Sequence, residues 1–335
     1  MTIRVLAAGD HFVQNRLLID ALRRAVPGEV DFRELTLPWP LEPFGRVGEV
    51  DEASDVESEL IEALRGVEVC VTQMAPLTKR VLDASPDLRL FCVSRGGPVN
   101  ANLEAAARAG VAVTFAPGRN AVATAEHTLA MLLAATRRIP QTHADLAGGV
   151  WRGDYYTYDN VGPELEGNTA GLIGYGAIGR RVARMLEGFG AEVLVHDPYV
   201  ASAPNQVELP ELLERSLFVS LHARATPETT GLIGAAEIAA MPRGSVLVNC
   251  ARGALLDYDA VCDALDSGQL SGAAMDVFPE EPIPPGSRLL TTPNLVMTPH
   301  LAGASKETAM KAAAIVAADV ARYVRGEPLA HVATP

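Results

Sequence analysis

The chain has 335 residues, 48% hydrophobic and 21% charged, enough to bury two ordinary cores. Its 28 Lys and Arg against 41 Asp and Glu leave a formal charge of −13, which excludes a nucleic-acid partner because phosphate binding needs a surplus of cations. No apolar stretch reaches the roughly 20 residues of a membrane span, and four dispersed cysteines without a C-x-x-C pair exclude a disulfide scaffold and point to a reducing, cytoplasmic setting.

The chain opens on an apolar run over Ile3–Ala8, too short for a signal peptide and expected as a strand, followed by a helix over Asn15–Ala25. Strands are expected at Val67–Thr72 and Leu90–Ser94, then a helix over Leu103–Ala109 stopped by Gly110, then a strand at Val111–Phe115. This βα punctuation predicts a parallel sheet covered by helices. A long helix is expected from Ala121 to Arg138, with Pro140 just past its end, and then a looser stretch around Trp151. The alternation restarts with a strand at Ala170–Ile173, a helix over Ile178–Phe189 and a strand at Glu192–His196. Further strands are expected at Phe218–Leu221, Ser245–Asn249, Gly272–Asp276 and Leu295–Met297, and a last helix over Lys306–Tyr323. Two βα arrays therefore flank the long helix, and the last helix can complete the first array.

Gly174-Tyr175-Gly176-Ala177-Ile178-Gly179 fits G-x-G-x-x-G between an expected strand and an expected helix. In that context each glycine has a task. Gly174 permits a tight turn, Gly176 lets the backbone approach a pyrophosphate, and Gly179 lets helix and strand pack closely. The helix N-terminus offers unpaired N–H groups and the positive end of its dipole. Asp197, after the next strand, can accept from the adenosine ribose hydroxyls and repels a 2′-phosphate, which favours NAD over NADP.

Three later strands run into ionisable residues: Arg252 after Val246–Asn249, Asp276 and Glu281 after Ala273–Met275, and His300 after Val296–Met297. Taken singly, each has a plain structural reading: a surface ion pair for Arg252, a solvated acid for Glu281, a turn cap for His300. Ligands of open parallel sheets bind outside the carboxyl ends of the strands, so the three are expected to converge beside the nicotinamide. Their chemistry is complementary. His300, with an ordinary pKa of about 6.5, can protonate a forming alkoxide. Glu281 can hold the other ring nitrogen and favour the imidazolium. Arg252 can hold a carboxylate bidentately.

At this point the residues resemble the D-isomer-specific 2-hydroxyacid dehydrogenase family. The resemblance runs from about Val67 to Gly326 and rests on Pro117-Gly118-Arg119-Asn120, Ala125-Glu126-His127-Thr128, the glycine fingerprint, Asn249-Cys250-Ala251-Arg252-Gly253, Asp276-Val277-Phe278 with Glu281-Pro282, and Thr298-Pro299-His300. It implies an α/β fold of two Rossmann-like, doubly wound parallel-sheet domains separated by a cleft. Residues 1–118 plus 301–335 form a discontinuous substrate domain, and 119–300 the NAD-binding domain. It implies hydride transfer between nicotinamide and C2 of a small 2-hydroxy or 2-keto acid, with Arg252, Glu281 and His300 as the catalytic set. It places Asp276 on the nicotinamide carboxamide, and assigns Ala177, Ile178, His222, Thr226, Cys250, Ala251 and Gly303 to the cofactor's surroundings. It implies a homodimer through the NAD-binding domain, with Ala121–Arg138 as the interface helix, and no metal.

Two departures bear on the substrate. A shorter loop, Ser94-Arg95-Gly96-Gly97-Pro98-Val99-Asn100-Ala101-Asn102, replaces the family's G-x-G-x-D-x-x-D, with asparagine where the second aspartate is usual. The Gly96 and Gly97 N–H groups can form an anion nest. Arg95 has two open readings, a second anionic group of the substrate such as a phosphate, or a salt bridge to the protein's own carboxylates. After His222, Arg224-Ala225 stand where Pro-Leu is usual, and no regulatory domain of the longer phosphoglycerate dehydrogenases is expected after Pro335. Two other functions stay open: a dehydrogenase of a related phosphorus-containing anion (phosphonate or phospho-acid), and an NAD-sensing, corepressor-like binding protein.

Overall fold

The computed structural model describes residues 2–200 and 202–335, and the chain divides into two compact units, residues 1–120 with 305–335 and residues 121–304. Among the described residues no helix is long and apolar enough to cross a membrane.

The first unit runs β1 (Ile3–Gly9), α1 (Asn15–Ala25), β2 (Val30–Thr36), a two-stranded antiparallel excursion of β3 (Gly45–Val47) and β4 (Val50–Ala53), α2 (Glu57–Ala63), β5 (Val69–Thr72), α3 (Lys79–Ala84), β6 (Leu90–Val93), α4 (Leu103–Arg108) and β7 (Ala112–Phe115). Its five-stranded sheet has the order β2-β1-β5-β6-β7, parallel throughout. Because β5 and β6 are covered on both faces, they are fully buried and apolar at every position but Thr72. The final helix α11 (Lys306–Val324) belongs to this unit and packs on α1. Ala309, Ala312, Ala313, Val316, Ala317 and Val320 form its buried stripe, at the three- and four-residue spacing that keeps one helical face together.

The second unit begins with α5 (Ala121–Thr136) and α6 (Ile139–Ala147). It continues through β8 (Thr169–Ile173), α7 (Gly179–Gly188), β9 (Glu192–His196), α8 (Leu209–Arg215), β10 (Phe218–Leu221), α9 (Ala235–Ala240), β11 (Ser245–Asn249), α10 (Tyr258–Asp266), β12 (Leu270–Met275) and β13 (Leu295–Met297). Its six-stranded parallel sheet has the order β13-β12-β11-β10-β8-β9. The chain reverses direction across the sheet at β8, so the ends of β8 and β10 mark the topological switch point, where such sheets bind ligands. Small residues on α5 let it lie close over β11 and β12: a Cβ added at Gly272 would stand 3.0 Å from the Ala135 carbonyl oxygen.

The region after Ala121 differs from expectation. One helix to Arg138 was expected; instead α5 stops at Thr136, Arg138 takes a left-handed φ of 52°, and a second helix begins at Ile139. Pro140 lies just past the end of α5 as expected, but it also stands in the first turn of α6, where a residue without an N–H leaves no helical hydrogen bond unmade. The same proline suits both places.

Candidate active site

Gly174 follows β8 at φ 102°, a conformation open to glycine, and a Cβ there would stand 2.7 Å from the His222 carbonyl carbon. The turn after β8 therefore lies directly against the turn after β10. A Cβ on Gly179 would meet the Gly174 carbonyl oxygen at 2.2 Å, so α7 starts as close to the strand as the backbone allows. Gly176 is different: a Cβ there would meet no protein atom within 4 Å. Open space lies over it, beside an α7 N-terminus that no side chain caps. A pyrophosphate fits these residues, since they offer unpaired N–H groups and nothing that fills the place.

Asp197, after β9, is half-buried. Its Oδ2 accepts from the Tyr175 N–H at 2.7 Å and its Oδ1 from the Tyr199 N–H at 2.9 Å. The carboxylate is thus locked beside the glycine turn. His222 hydrogen-bonds Ser220 through Nε2 at 3.0 Å, and burial pushes its pKa down to about 4, so the ring is neutral. Cys250 is buried with its thiol pushed up to about 12 by burial and by Asp276. Ala251 donates its N–H to Asn249 Oδ1 at 3.0 Å, and Asn249 Nδ2 reaches the Arg252 carbonyl at 2.8 Å. Asn249, given no role from the sequence, thereby shapes the turn that presents Arg252.

The neighbouring strands β11, β12 and β13 deliver Arg252, Asp276 with Glu281, and His300. Glu281 Oε2 lies 2.7 Å from His300 Nδ1, and Glu281 Oε1 accepts the Phe278 N–H at 2.9 Å. His300 Nε2 has no partner among the described residues. Burial disfavours the charged ring, but the Glu281 hydrogen bond and charge, with Asp276, outweigh that and the opposing Arg252, so the His300 pKa is raised above its usual value. Arg252 is exposed; its Nη1 donates to the Ala251 carbonyl at 2.7 Å, and no carboxylate among the described residues pairs with it. An imidazole and a guanidinium free of carboxylates thus act on one another at the strand ends.

Asp276 is fully buried, and its carboxylate accepts from Thr298 Oγ1 at 2.5 Å and from the Leu301 and Ala302 N–H groups, each at 2.7 Å. Those contacts hold the segment that carries His300. Thr298 also meets His127 of α5 at 3.0 Å. The sequence offered His127 and Thr298 only as parts of motifs.

The loop residues expected at the substrate lie in the first unit, after β6. Arg95 Nη2 pairs with the Glu52 carboxylate, and its Nη1 donates to the Glu52 carbonyl at 2.9 Å. Of the two readings of Arg95, the contact present is the one with the protein's own acid. Gly96 and Gly97 border open space. In the same unit Arg119 Nη1 donates to Gln73 Oε1 at 3.2 Å, while its Nε and Asp10 Oδ2 are buried without a partner.

The family model described as "D-isomer specific 2-hydroxyacid dehydrogenase, NAD binding domain" matches residues 129–302. The chain is 38% identical to a D-3-phosphoglycerate dehydrogenase of Methanocaldococcus jannaschii over 84% of its length and 54% of that protein's. It is 36% identical to a glyoxylate reductase of Korarchaeum cryptofilum over 83% of its length and 86% of the relative's. It therefore spans about half the length of the phosphoglycerate dehydrogenase but most of the glyoxylate reductase. A solved structure of a Thermus thermophilus protein overlays with a TM-score of 0.83 and 31% identity, covering 99% of this chain and 100% of that one.

Proposed function

The chain belongs to the D-isomer specific 2-hydroxyacid dehydrogenase family, and from that membership we propose that it is an NAD-dependent oxidoreductase of a small 2-hydroxy or 2-oxo acid. The observation that carries this reading is the Glu281–His300 contact of 2.7 Å beside the unpaired Arg252. When bound, the dinucleotide supplies or accepts the hydride. Arg252 binds the substrate carboxylate and draws electron density from the neighbouring carbonyl. His300, protonated and oriented by Glu281, gives the proton from Nε2 to the carbonyl oxygen and ends neutral; in oxidation it takes that proton back. Residues 1–118 with 301–335 are assigned to the substrate and 119–300 to the cofactor. Asp197, already committed to two backbone N–H groups, supports NAD over NADP because a 2′-phosphate would sit against a fixed negative charge.

The proposal includes a homodimer formed through the second unit. α5 packs on its own sheet but leaves Val122, Leu129, Leu133 and Ala134 only partly buried, and the segment that follows exposes Trp151 at 85%, Tyr156 at 91% and Tyr158 at 92%. Aromatic surface of that kind is characteristic of a protein contact, and a second copy brings its own. The four cysteines are free and buried, which supports a reducing, cytoplasmic compartment.

The test is a panel of 2-oxo acids, including phosphorylated and dicarboxylic ones, with NADH and NADPH followed by loss of cofactor absorbance. Turnover of at least one with NADH preferred is expected. Intact NADH binding with no turnover on any acid overturns the reading. Light scattering reads the dimer, and a monomer at micromolar concentration removes that part.

A further inference from the structure

His300 sits at φ 54°, a left-handed conformation that a non-glycine residue keeps only where its surroundings hold it. Those surroundings converge on Asp276. Its carbonyl accepts the His300 N–H at 2.9 Å, and its carboxylate takes the next two N–H groups, of Leu301 and Ala302. The remaining hydrogen-bond donor to that carboxylate is the Thr298 hydroxyl; His127 Nε2 stands 3.6 Å from the same oxygen, beyond hydrogen-bond distance. Thr298 Oγ1 lies 2.5 Å from Asp276 Oδ1, 3.0 Å from His127 Nε2 and 3.9 Å from the Met131 sulfur. The carboxylate is the strongest acceptor and the nearest, so the proton points to Asp276. Thr298 Oγ1 then has only lone pairs for the imidazole, so His127 Nε2 carries a hydrogen and donates it. The hydrogen bonds run in one sense, from His127 to Thr298 to Asp276, and end on the segment bearing His300.

We propose that His127, which makes no hydrogen bond to His300 or Glu281, is a positioning residue for His300: its Nε2–H fixes the Thr298 hydroxyl in place and polarises it toward Asp276, and so keeps that carboxylate clamped on residues 300–302. The proposal rests on the reading of His300 as the acid–base group. Glu281, Asp276 and Arg252 are the charged groups acting on His300, and His127 and Cys250 are the titratable groups beside Asp276. Loss of the His127 donor removes the bond that anchors and polarises the Thr298 hydroxyl, so its donation to Asp276 weakens, the clamp loosens, and the Glu281–His300 bond that holds the imidazolium weakens with it.

The experiment uses the full chain with 15N-labelled histidines, His300 being assigned by its absence in H300A. In wild type His300 titrates above its ordinary value of about 6.5. In H127A its pKa falls by about half a unit or more, and H127Q, which keeps a donor of similar reach, restores it. In kinetics H127A loses about ten- to a hundredfold in kcat, with NADH affinity within about twofold and the pH inflection moved by the same amount as the titration. A folded H127A in which His300 titrates as in wild type overturns the proposal. If H127A does not fold, T298V removes the relaying hydroxyl and reads the same titration, with the same outcome deciding. If wild type turns over no 2-oxo acid, the functional reading falls, and the titration still decides the positioning role.

Discussion

Glu281 grips His300 with one oxygen and the backbone with the other: Oε2 lies 2.7 Å from His300 Nδ1, and Oε1 accepts the Phe278 N–H at 2.9 Å. The carboxylate cannot rotate away without leaving that N–H unpaired. The imidazole is therefore fixed with Nδ1 inward and Nε2 outward, as proton transfer requires.

The first prediction concerns pH. The His300 pKa is raised, so the imidazolium persists above the ordinary histidine range. Reduction needs the imidazolium; its rate holds at low pH and falls as pH rises through the raised value, while oxidation shows the opposite limb. E281Q removes the charge that outweighs burial, so the inflection moves to lower pH and reduction at neutral pH slows. H300A loses several orders of magnitude in turnover and still binds NADH. A pH–rate profile unchanged in E281Q removes the pairing from the mechanism. By the same sign, the pair's stabilising contribution is complete below about pH 6.5 and is lost as pH rises through the folded value.

Arg252 is tested by R252K. The ammonium keeps the charge and loses the two-pronged donor geometry, and a hydrogen bond to a charged group is worth about 1.5–3 kcal/mol. The expected result is a fall in kcat/KM of about ten- to a hundredfold with NADH affinity unchanged. Wild-type kcat/KM in R252K shows that no bidentate carboxylate contact is made there.

The glycine turn predicts two opposite alanine phenotypes. In G176A the new Cβ enters open space, so thermal stability holds while NADH affinity drops. In G179A the Cβ stands 2.2 Å from the Gly174 carbonyl oxygen, so the second unit itself is destabilised. Calorimetry and fluorescence titration separate them. Equal losses of stability in both variants contradict the assignment of Gly176 to the cofactor.

Asp10 gives a stability prediction. Burial raises its pKa to about 6, against the help of the Phe12 and Val13 N–H groups and of Arg119. A raised acid favours the fold at low pH and works against it as pH rises from about 4 through the folded value. D10N keeps an oxygen for those N–H groups and removes the charge. It is expected to match wild type at pH 4 and to exceed it at pH 8, by about 3 kcal/mol at most. A melting temperature at pH 8 no higher than wild type counts against the buried charge.

The alternation of strands and helices, the glycine turn and the chemistry at three strand ends are legible in the order of residues alone. These are local: the strand β13, the helix α1 and the spacing of Gly174, Gly176 and Gly179 depend on near neighbours in the chain. Short helices such as α2, with Leu60 as its one buried residue, carry too little periodicity to be read. Tertiary structure alone decided what each polar group spends its hydrogen bonds on. Arg95 meets an acid 43 residues away, and His127 meets Thr298 across 171 residues. No pattern along the chain encodes such partners, because they are set by which strand ends and helix faces packing brings within hydrogen-bond reach. The same holds for Pro140, whose place in the first turn of a second helix is decided only once α5 settles on its sheet.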